Sequence, residues 1–295
     1  MNQKAVGTPF SPVAKPARVH IPYLRFIYAN KSILYAVVIL VPFVLATIFA
    51  SWLPLQPPLE SNVRASLQAP SLEHPFGSDK LGRDVLSRTL AGSKVSLTVG
   101  FAVAVISLIF GLVLGTISGF YGKYVDRIIM GIVDIFLAFP SLLLAIMLVA
   151  ILGAGIGPVI IAITVADVPR FIRLQRSIVL SLKSRTYIEA AKTMKASQGW
   201  LMAKHIIPNT IAPLLVAASI AAANAILLEA SLSFIGLGIK LPEPSLGNII
   251  KEGQQYLQQA WWISALPGLA IFLIAISLHF LSDGIRQKLD PKARK

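Results

Sequence analysis

Few charged residues lie inside the long apolar stretches of this 295-residue chain, and they are the first candidates for chemistry. Asp134 is the one charged residue between 128 and 166, and Asp167 and Arg170 flank a proline just beyond that stretch. A charge inside a bilayer costs about 2.5–3.5 kcal/mol on insertion scales, so such residues often mark a proton or solute pathway. Asp134 lies about two turns from a helix end, where water or an arginine can satisfy it. A pathway role and a structural role both stay open for Asp134, and we interpret Asp167 and Arg170 as an i, i+3 pair.

A second candidate surface is the basic, amphipathic segment 180–208. Tyr187, Ala191 and Met194 follow one another at i, i+4 and i+7, which predicts a short helix with one apolar face. Ser197 suits the N-cap of a second short helix. An apolar face on a segment outside the membrane needs something to pack against. The segment is therefore predicted to be a structured docking element.

Motifs for catalysis are missing from the sequence. A phosphate-binding loop needs glycines followed by Gly-Lys-Ser/Thr, whereas the Lys-Ser/Thr pairs here follow Asn30, Leu182 and Ala191. The chain has no cysteine and four histidines, none at metal-ligand spacing, so His205 is interpreted as structural. No nucleophile, base and orienting group occur together. We predict a non-catalytic chain that holds no metal or cofactor of its own.

The elements that position these residues are predicted to be membrane-spanning helices. Hydrophobic residues make up 55% of the chain and charged residues 14%, a composition typical of membrane proteins. The net charge of +14 does not indicate nucleic-acid binding, because the basic residues lie beside apolar runs rather than in a stripe with aromatics. A helix needs about 20 apolar residues to cross the bilayer core. We expect an all-α polytopic protein with six spans, at 32–53, 95–121, 128–152, 156–178, 209–229 and 261–282.

The distribution of lysine and arginine orients these spans, since basic residues concentrate in cytoplasmic loops. With the N-terminus inside, the cytoplasmic segments hold 20 basic residues and the outer segments 7. Both termini are therefore predicted to be cytoplasmic. The glycine-rich stretch 236–247, just after Glu229, is either a re-entrant gate or a loop. The predicted divisions are a cytoplasmic segment 1–31, an outer loop 54–94, a core domain 95–283 that includes the 180–208 loop, and a cytoplasmic tail 284–295.

Several motifs resemble those of a known family. The run Glu189-Ala190-Ala191, followed downstream by His205-Ile206-Ile207-Pro208-Asn209, resembles the EAA loop of binding-protein-dependent ABC importer permeases. The stretch from His74 to Arg88, His-Pro-Phe-Gly-Ser-Asp-Lys-Leu-Gly-Arg-Asp-Val-Leu-Ser-Arg, resembles the motif of the dipeptide, oligopeptide and nickel permeases of the DppC/OppC type. Segments 229–238 and 283–291 are similar to the same group. The resemblance covers roughly residue 30 to the C-terminus.

The resemblance implies a fold, a function and a set of partners. It implies the type I ABC importer permease fold, in a subunit that moves di- or oligopeptides across the bacterial inner membrane. The implied partners are a homologous DppB/OppB-like permease in a heterodimer, two cytoplasmic ATPase subunits that bind ATP and Mg, an extracytoplasmic substrate-binding protein and membrane lipid, without nucleic acid. Nickel or a metal chelate as cargo stays an alternative, as does a proton-coupled secondary transporter that uses Asp134. The expected ATPase-coupling residues are Tyr187, Glu189, Ala190, Ala191, Met194, Lys195, His205, Pro208 and Asn209.

Lys195 departs from the family pattern, which usually has glycine six residues after Glu189. A glycine there indicates a left-handed turn, in which any other residue costs about 1–2 kcal/mol. We therefore expect this turn to be strained or to differ in shape, while the docking role of the loop is kept.

Overall fold

The structure is a computed structural model that describes residues 30–52 and 55–289. The predicted N-terminal segment 1–31 lies outside the described residues except for its last two, and the tail 284–295 is described as far as 289. All helices and turns of the described part form one α-helical bundle, and its only β feature is an isolated bridge between Ser78 and Asp84. The predicted all-α fold class is confirmed.

Ten α-helices form the described part of the chain. A π-helical turn, Met202–Ile206, joins the seventh helix to the eighth without interruption. Short 3₁₀ turns lie at Ala50–Trp52, Val63–Ala65 and Gln254–Tyr256. The helices are α1 (Lys31–Ile48), α2 (Val85–Tyr121), α3 (Lys123–Leu137), α4 (Ser141–Leu152), α5 (Ile156–Lys183), α6 (Thr186–Thr193), α7 (Gln198–Leu201), α8 (Ile207–Ile235), α9 (Leu246–Gly253) and α10 (Trp262–Leu289).

Four segments among the described residues are long and apolar enough to cross a membrane: Lys31–Ile48, Val85–Tyr121, Gln198–Ile235 and Trp262–Lys288. Helices α3 and α4 qualify only as a pair bent by 89°. The segment 128–152, predicted as one span, is thus two helices, because Pro140 lacks the N–H needed to continue α3. Helix α5 has 28 residues, enough to cross, but its charged residues leave it outside this apolar set.

Two helices extend beyond the spans predicted from hydropathy. Helix α2 begins at Val85 rather than at 95, because the Asp84 carboxylate caps it by accepting the Ser87 N–H at 2.7 Å. Helix α8 continues past 229 to Ile235 and ends at Gly236, whose φ of +92° suits the left-handed C-cap. Polar residues that a hydropathy count assigns to loops are therefore helical at the N-terminal end of α2 and at the C-terminal end of α8.

The most extensive helix contact in the bundle joins α2 to α5 through a stripe of glycines. The glycines recur every four residues, so they lie on one face of α2, and their partners recur every four residues on α5. A Cβ at Gly115 would lie 2.6 Å from the Cβ of Gln175, so only glycine allows this approach. The facing pairs are Gly111 with Phe171, Gly115 with Gln175 and Gly119 with Val179.

The bundle has two main apolar clusters toward one end. One lies between α2, α4, α5 and α8 and includes Val99, Val149 and Ile163. The other lies between α8, α9 and α10 and includes Leu246 and Ile274. The stretch 236–247, which the sequence left as gate or loop, leads into α9 at Leu246, and α9 packs against both α8 and α10. That stretch is therefore anchored to the two long helices.

Candidate functional site

The predicted docking segment packs on the bundle through a face of α6 that the sequence did not indicate. Ile188 of α6 is fully buried, and Ala191 packs against a cluster of Phe120, Val179, Leu201 and Ile206. Tyr187 and Met194 remain exposed, Met194 to 84%. The predicted face is therefore divided, because Ala191 packs on the bundle while Tyr187 and Met194 stay exposed. Ile188 and Ala191, at i and i+3, attach α6 to the bundle.

Apart from the ring of Tyr187, which lies 6.0 Å from that of His205, the exposed side of α6 has no partner among the described residues. Tyr187, Ala190 and Met194 share a helical face at i, i+3 and i+7, and all three are exposed. Glu189 is exposed beside them, and its carboxylate makes no hydrogen bond or ion pair with any described residue. We call these four residues the α6 docking face. It offers small and apolar side chains for close contact and one carboxylate for a donor on another protein.

Lys195 adopts the left-handed conformation that the missing glycine led us to expect, with φ +59°. The Ala196 N–H donates to the Ala191 carbonyl at 3.1 Å, the 6→1 bond of a Schellman turn with Lys195 at its left-handed position. A side chain in this conformation costs about 1–2 kcal/mol. The glycine-type turn is therefore kept, with the strain of a lysine.

An aromatic contact links α6 to the start of α8. The ring centroid of His205 lies 4.8 Å from that of Trp200 and 6.0 Å from that of Tyr187. Asn209 donates its side-chain N–H to the His205 carbonyl at 2.5 Å, and Pro208 occupies the first turn of α8. Ser197 caps α7 by accepting the Trp200 N–H at 3.3 Å, as predicted. The contact of Trp200 with His205 was not predicted, because no sequence pattern on the short helix α7 indicated it.

The predicted intramembrane charges lie in ion pairs along α5. Asp134 of α3 pairs with Arg173, and both side chains are half-exposed, at 60% and 52%. One Arg170 Nη lies 3.8 Å from Asp167 Oδ1, at i, i+3 spacing across Pro169. Asp167 is 14% exposed and Arg170 is 53% exposed. Asp134 is therefore held by an arginine on the neighbouring helix, and Asp167 and Arg170 are neighbours on one face.

The motif from His74 to Arg88 was recognised in the sequence, but the partners of its charged side chains were not predicted. Asp79 accepts from the Nε of Arg83 at 2.6 Å and from an Nη of Arg88 at 2.5 Å. Glu252 of α9 accepts from the same two arginines at 2.7 and 2.9 Å. Arg88 is completely buried. These four residues, the outer ion network, fasten the loop before α2 to α9.

Two further contacts hold the same loop. The Nδ1 of His74 lies 3.1 Å from an oxygen of Asp84, and both side chains are nearly inaccessible. The indole N–H of Trp262, at the start of α10, donates to the Ser78 carbonyl at 3.1 Å. Trp262 is therefore a buried residue that holds this loop on α10.

Glu229, near the C-terminal end of α8, is completely buried. Its carboxylate accepts hydrogen bonds from Ser96 of α2 at 2.6 Å and from Ser233 at 2.8 Å. The Ser233 hydroxyl also accepts the Ile239 N–H at 3.2 Å. Glu229 thus ties α2, α8 and the following turn together.

Comparison with known proteins agrees with the motifs. The family described as binding-protein-dependent transport system inner membrane component matches residues 111–295. The chain is 42% identical over 265 residues to the dipeptide transport system permease protein DppC of Alkalihalophilus pseudofirmus, covering 90% of this chain and 87% of that one. It is 42% identical over 256 residues to the probable D,D-dipeptide transport system permease protein DdpC of Escherichia coli, covering 87% and 86%.

A more distant relative and a solved structure extend this comparison. The glutathione transport system permease protein GsiD of Pectobacterium atrosepticum is 40% identical over 227 residues, covering 77% of this chain and 75% of its own length. An inward-facing conformation of the MetNI methionine ABC transporter superposes with a TM-score of 0.55 at 21% identity, over 68% of this chain and 94% of the matched chain. The fold is therefore that of an ABC importer permease.

Proposed function

This chain belongs to the family of binding-protein-dependent transport system inner membrane components, and from that premise we propose that it is the permease subunit of an ATP-driven peptide importer. The observation that carries the proposal is identity of 42% along 90% of the chain to a permease named for dipeptide transport. Relatives named for D,D-dipeptides and glutathione point to the same class of cargo. The substrates are di- or oligopeptides, and the location is the bacterial inner membrane.

The chain crosses the membrane six times with both ends in the cytoplasm. Helices α1, α2, α8 and α10 supply four spans, and the bent pair α3 and α4 supplies another. Helix α5 is the remaining span. Its charged side chains form ion pairs, and the face of α5 that the glycines of α2 contact is packed inside the bundle. The lysine and arginine bias between the two sets of loops supports this orientation.

ATP drives transport through separate subunits. The α6 docking face sits in a groove of a cytoplasmic ATPase, where Ala190 permits close approach and Glu189 accepts from a donor on the partner. Ile188 fastens α6 to the bundle, and the aromatic contact of His205 connects it to α8. Movement of the ATPases is thereby transmitted to a membrane-spanning helix. ATP and Mg are bound by those partners.

The remaining partners follow from the same function. A homologous permease pairs with this chain to complete the passage, and an extracytoplasmic substrate-binding protein delivers the peptide to the outer loops. The outer ion network supports this arrangement, because it holds the loop before α2 in a fixed position on α9. A rigid outer surface gives the binding protein a defined docking site.

Uptake of a labelled dipeptide into vesicles that carry the complete complex tests the function. We expect uptake that requires ATP and the binding protein. Uptake that persists when both ATPases are inactivated would refute it. The same vesicles test the alternatives. A proton-coupled transporter would take up the dipeptide in response to a pH gradient without ATP. Excess nickel chelate would reduce dipeptide uptake only if chelates are the cargo. Asp134, on which the proton-coupled alternative relied, is already paired with Arg173.

Glu189→Lys tests the docking face directly. Reversal of the charge puts an ammonium where a donor is expected, so we predict weaker capture of the ATPase subunits in a pull-down and lower transport. Glu243→Lys is the matched control, since Glu243 is also exposed but lies on the opposite side of the proposed membrane. Equal capture by both variants would contradict a docking role for α6.

A further inference from the structure

A small groove between α5 and α8 holds polar groups that the coupling mechanism does not use. Its volume is about 180 Å³. Its polar members are Asp167 and Arg170 of α5 and Asn224 of α8. Apolar walls surround them, formed by Phe171, Leu174, Ala217, Ile220 and Ala221.

The groove lies halfway across the bilayer if α5 and α8 are spans, as proposed above. Asp167 is eleven residues from the outer end of α5, which is about 16 Å along the helix. Asn224 is eleven residues from the outer end of α8, again about 16 Å. The hydrocarbon core is about 30 Å thick. Two antiparallel helices therefore independently place these side chains at the same depth, near the midplane.

All three polar groups have unused hydrogen-bonding capacity. The Oδ2 of Asp167 is buried and has no hydrogen-bond partner among the described residues. Arg170 is 53% exposed, and apart from Asp167 it reaches only Ser141, at 3.4 Å. The amide of Asn224 is exposed and makes no hydrogen bond with the described part of the chain. A buried carboxylate oxygen without a donor is costly, so it indicates a donor from outside this chain, either water or a ligand.

That other molecule is not lipid. A half-exposed guanidinium at the midplane would cost about 2.5–3.5 kcal/mol or more against acyl chains. Exposed charges at this depth are found where a bundle faces another protein or a water-filled cavity. Since a carboxylate and a guanidinium lie 3.8 Å apart here, the site presents both signs of charge at once. A ligand that matches it carries an anion and a cation close together.

We propose that this groove is a transient binding subsite for the charged ends of a peptide in transit. The inference rests on the proposed peptide-import function. Arg170 donates to the peptide carboxylate, in the bidentate geometry that guanidinium groups favour. Asp167 accepts from the peptide ammonium through its free oxygen, and Asn224 bonds to the peptide amide. Phe171, Leu174 and Ile220 contact the peptide side chains without selecting among them.

Binding to the complex without its binding protein isolates the groove from the specificity of the delivery step. The complex of both permeases and both ATPases is placed in nanodiscs, and its affinity for a fluorescent dipeptide is compared with that for the C-amidated and N-acetylated forms. Arg170→Gln should weaken binding of the free dipeptide by about ten-fold or more and leave the C-amidated form unchanged. Asp167→Asn should likewise weaken binding of the free dipeptide and leave binding of the N-acetylated form unchanged.

Arg173→Gln is the matched control. Arg173 is as exposed as Arg170 and lies three residues further along α5, but it pairs with Asp134 and does not line the groove. The control should leave the preference for a free carboxylate intact. The proposal is overturned if Arg170→Gln weakens all ligands equally, if it changes none, or if it prevents assembly with the partner permease. Assembly is checked by size-exclusion chromatography.

The proposed function and this subsite fail in different ways. If the wild-type complex imports dipeptides with ATP while Arg170→Gln keeps the full preference for a free carboxylate, the function stands and the subsite is wrong. If the wild-type complex does not import dipeptides at all, the function itself is wrong.

Discussion

The outer ion network should make Asp79 one of the most sensitive positions in the protein. Asp79 accepts the backbone N–H groups of Leu81 and Arg83 at 2.8 and 3.0 Å, in addition to its two arginine contacts. Asp79→Asn removes the charge but keeps the shape, so Arg88, completely buried, is left with Glu252 alone. Breaking a buried pair by removing one partner costs about 3–5 kcal/mol. At about 2–4 °C per kcal/mol, the apparent melting temperature of the complex should fall by at least about 6 °C.

Thermal unfolding of the purified complex, followed by loss of the monodisperse peak on size-exclusion chromatography, measures this fall. Asp134→Asn is the matched control, since it makes the same chemical change in an exposed pair with Arg173. Exposed pairs contribute about 1 kcal/mol or less, so the control should shift the melting temperature by no more than about 4 °C. Similar small shifts for both variants would show that the outer network does not hold the loop on α9.

Two other substitutions test the coupling turn and the helix packing. Lys195→Gly should slow hydrogen exchange in α6, because glycine removes about 1–2 kcal/mol of left-handed strain and adds only about 0.5–1 kcal/mol of unfolded-state entropy. Lys195→Ala keeps the strain and loses the charge, so it should not slow the exchange. Gly115→Leu should lower the yield of assembled complex, because even a Cβ there would lie 2.6 Å from Gln175. The same change at Gly131, where a Cβ would meet nothing within 4 Å, should be tolerated. Equal yields of the two variants would contradict the packing argument.

The helical spans were predictable because hydropathy reports burial in lipid, a property of each segment alone. The ends of the helices were not. Half of the first ten residues of α2 are polar or charged, and this segment is helical because Asp84 caps it and Arg88 reaches Glu252. The bend between α3 and α4 had a local signal in Pro140, since the residue before a proline disfavours the helical region.

Side-chain partnerships were predictable only where they were local. The spacing of Asp167 and Arg170 indicated their pair, and the absent glycine indicated the left-handed turn at Lys195. Arg83 and Glu252 are 169 residues apart, so no spacing rule could connect them. The face of α6 that packs on the bundle was not predicted, because Tyr187 and Ile188 are adjacent and similarly apolar, and only the position of the bundle decides which of them is covered.

The unbroken helical path from α7 through the π turn into α8 has a mechanical consequence. It runs for 38 residues, from Gln198 to Ile235, so it behaves as a lever about 57 Å long. A tilt of about 5° at the cytoplasmic end of a rod of that length displaces the far end by about 5 Å. Pro208 and Pro213 both lack a backbone donor and follow the π turn, which makes this part of the lever the most compliant. The displacement at the far end of α8 is therefore set by the stiffness of the helix around these two prolines.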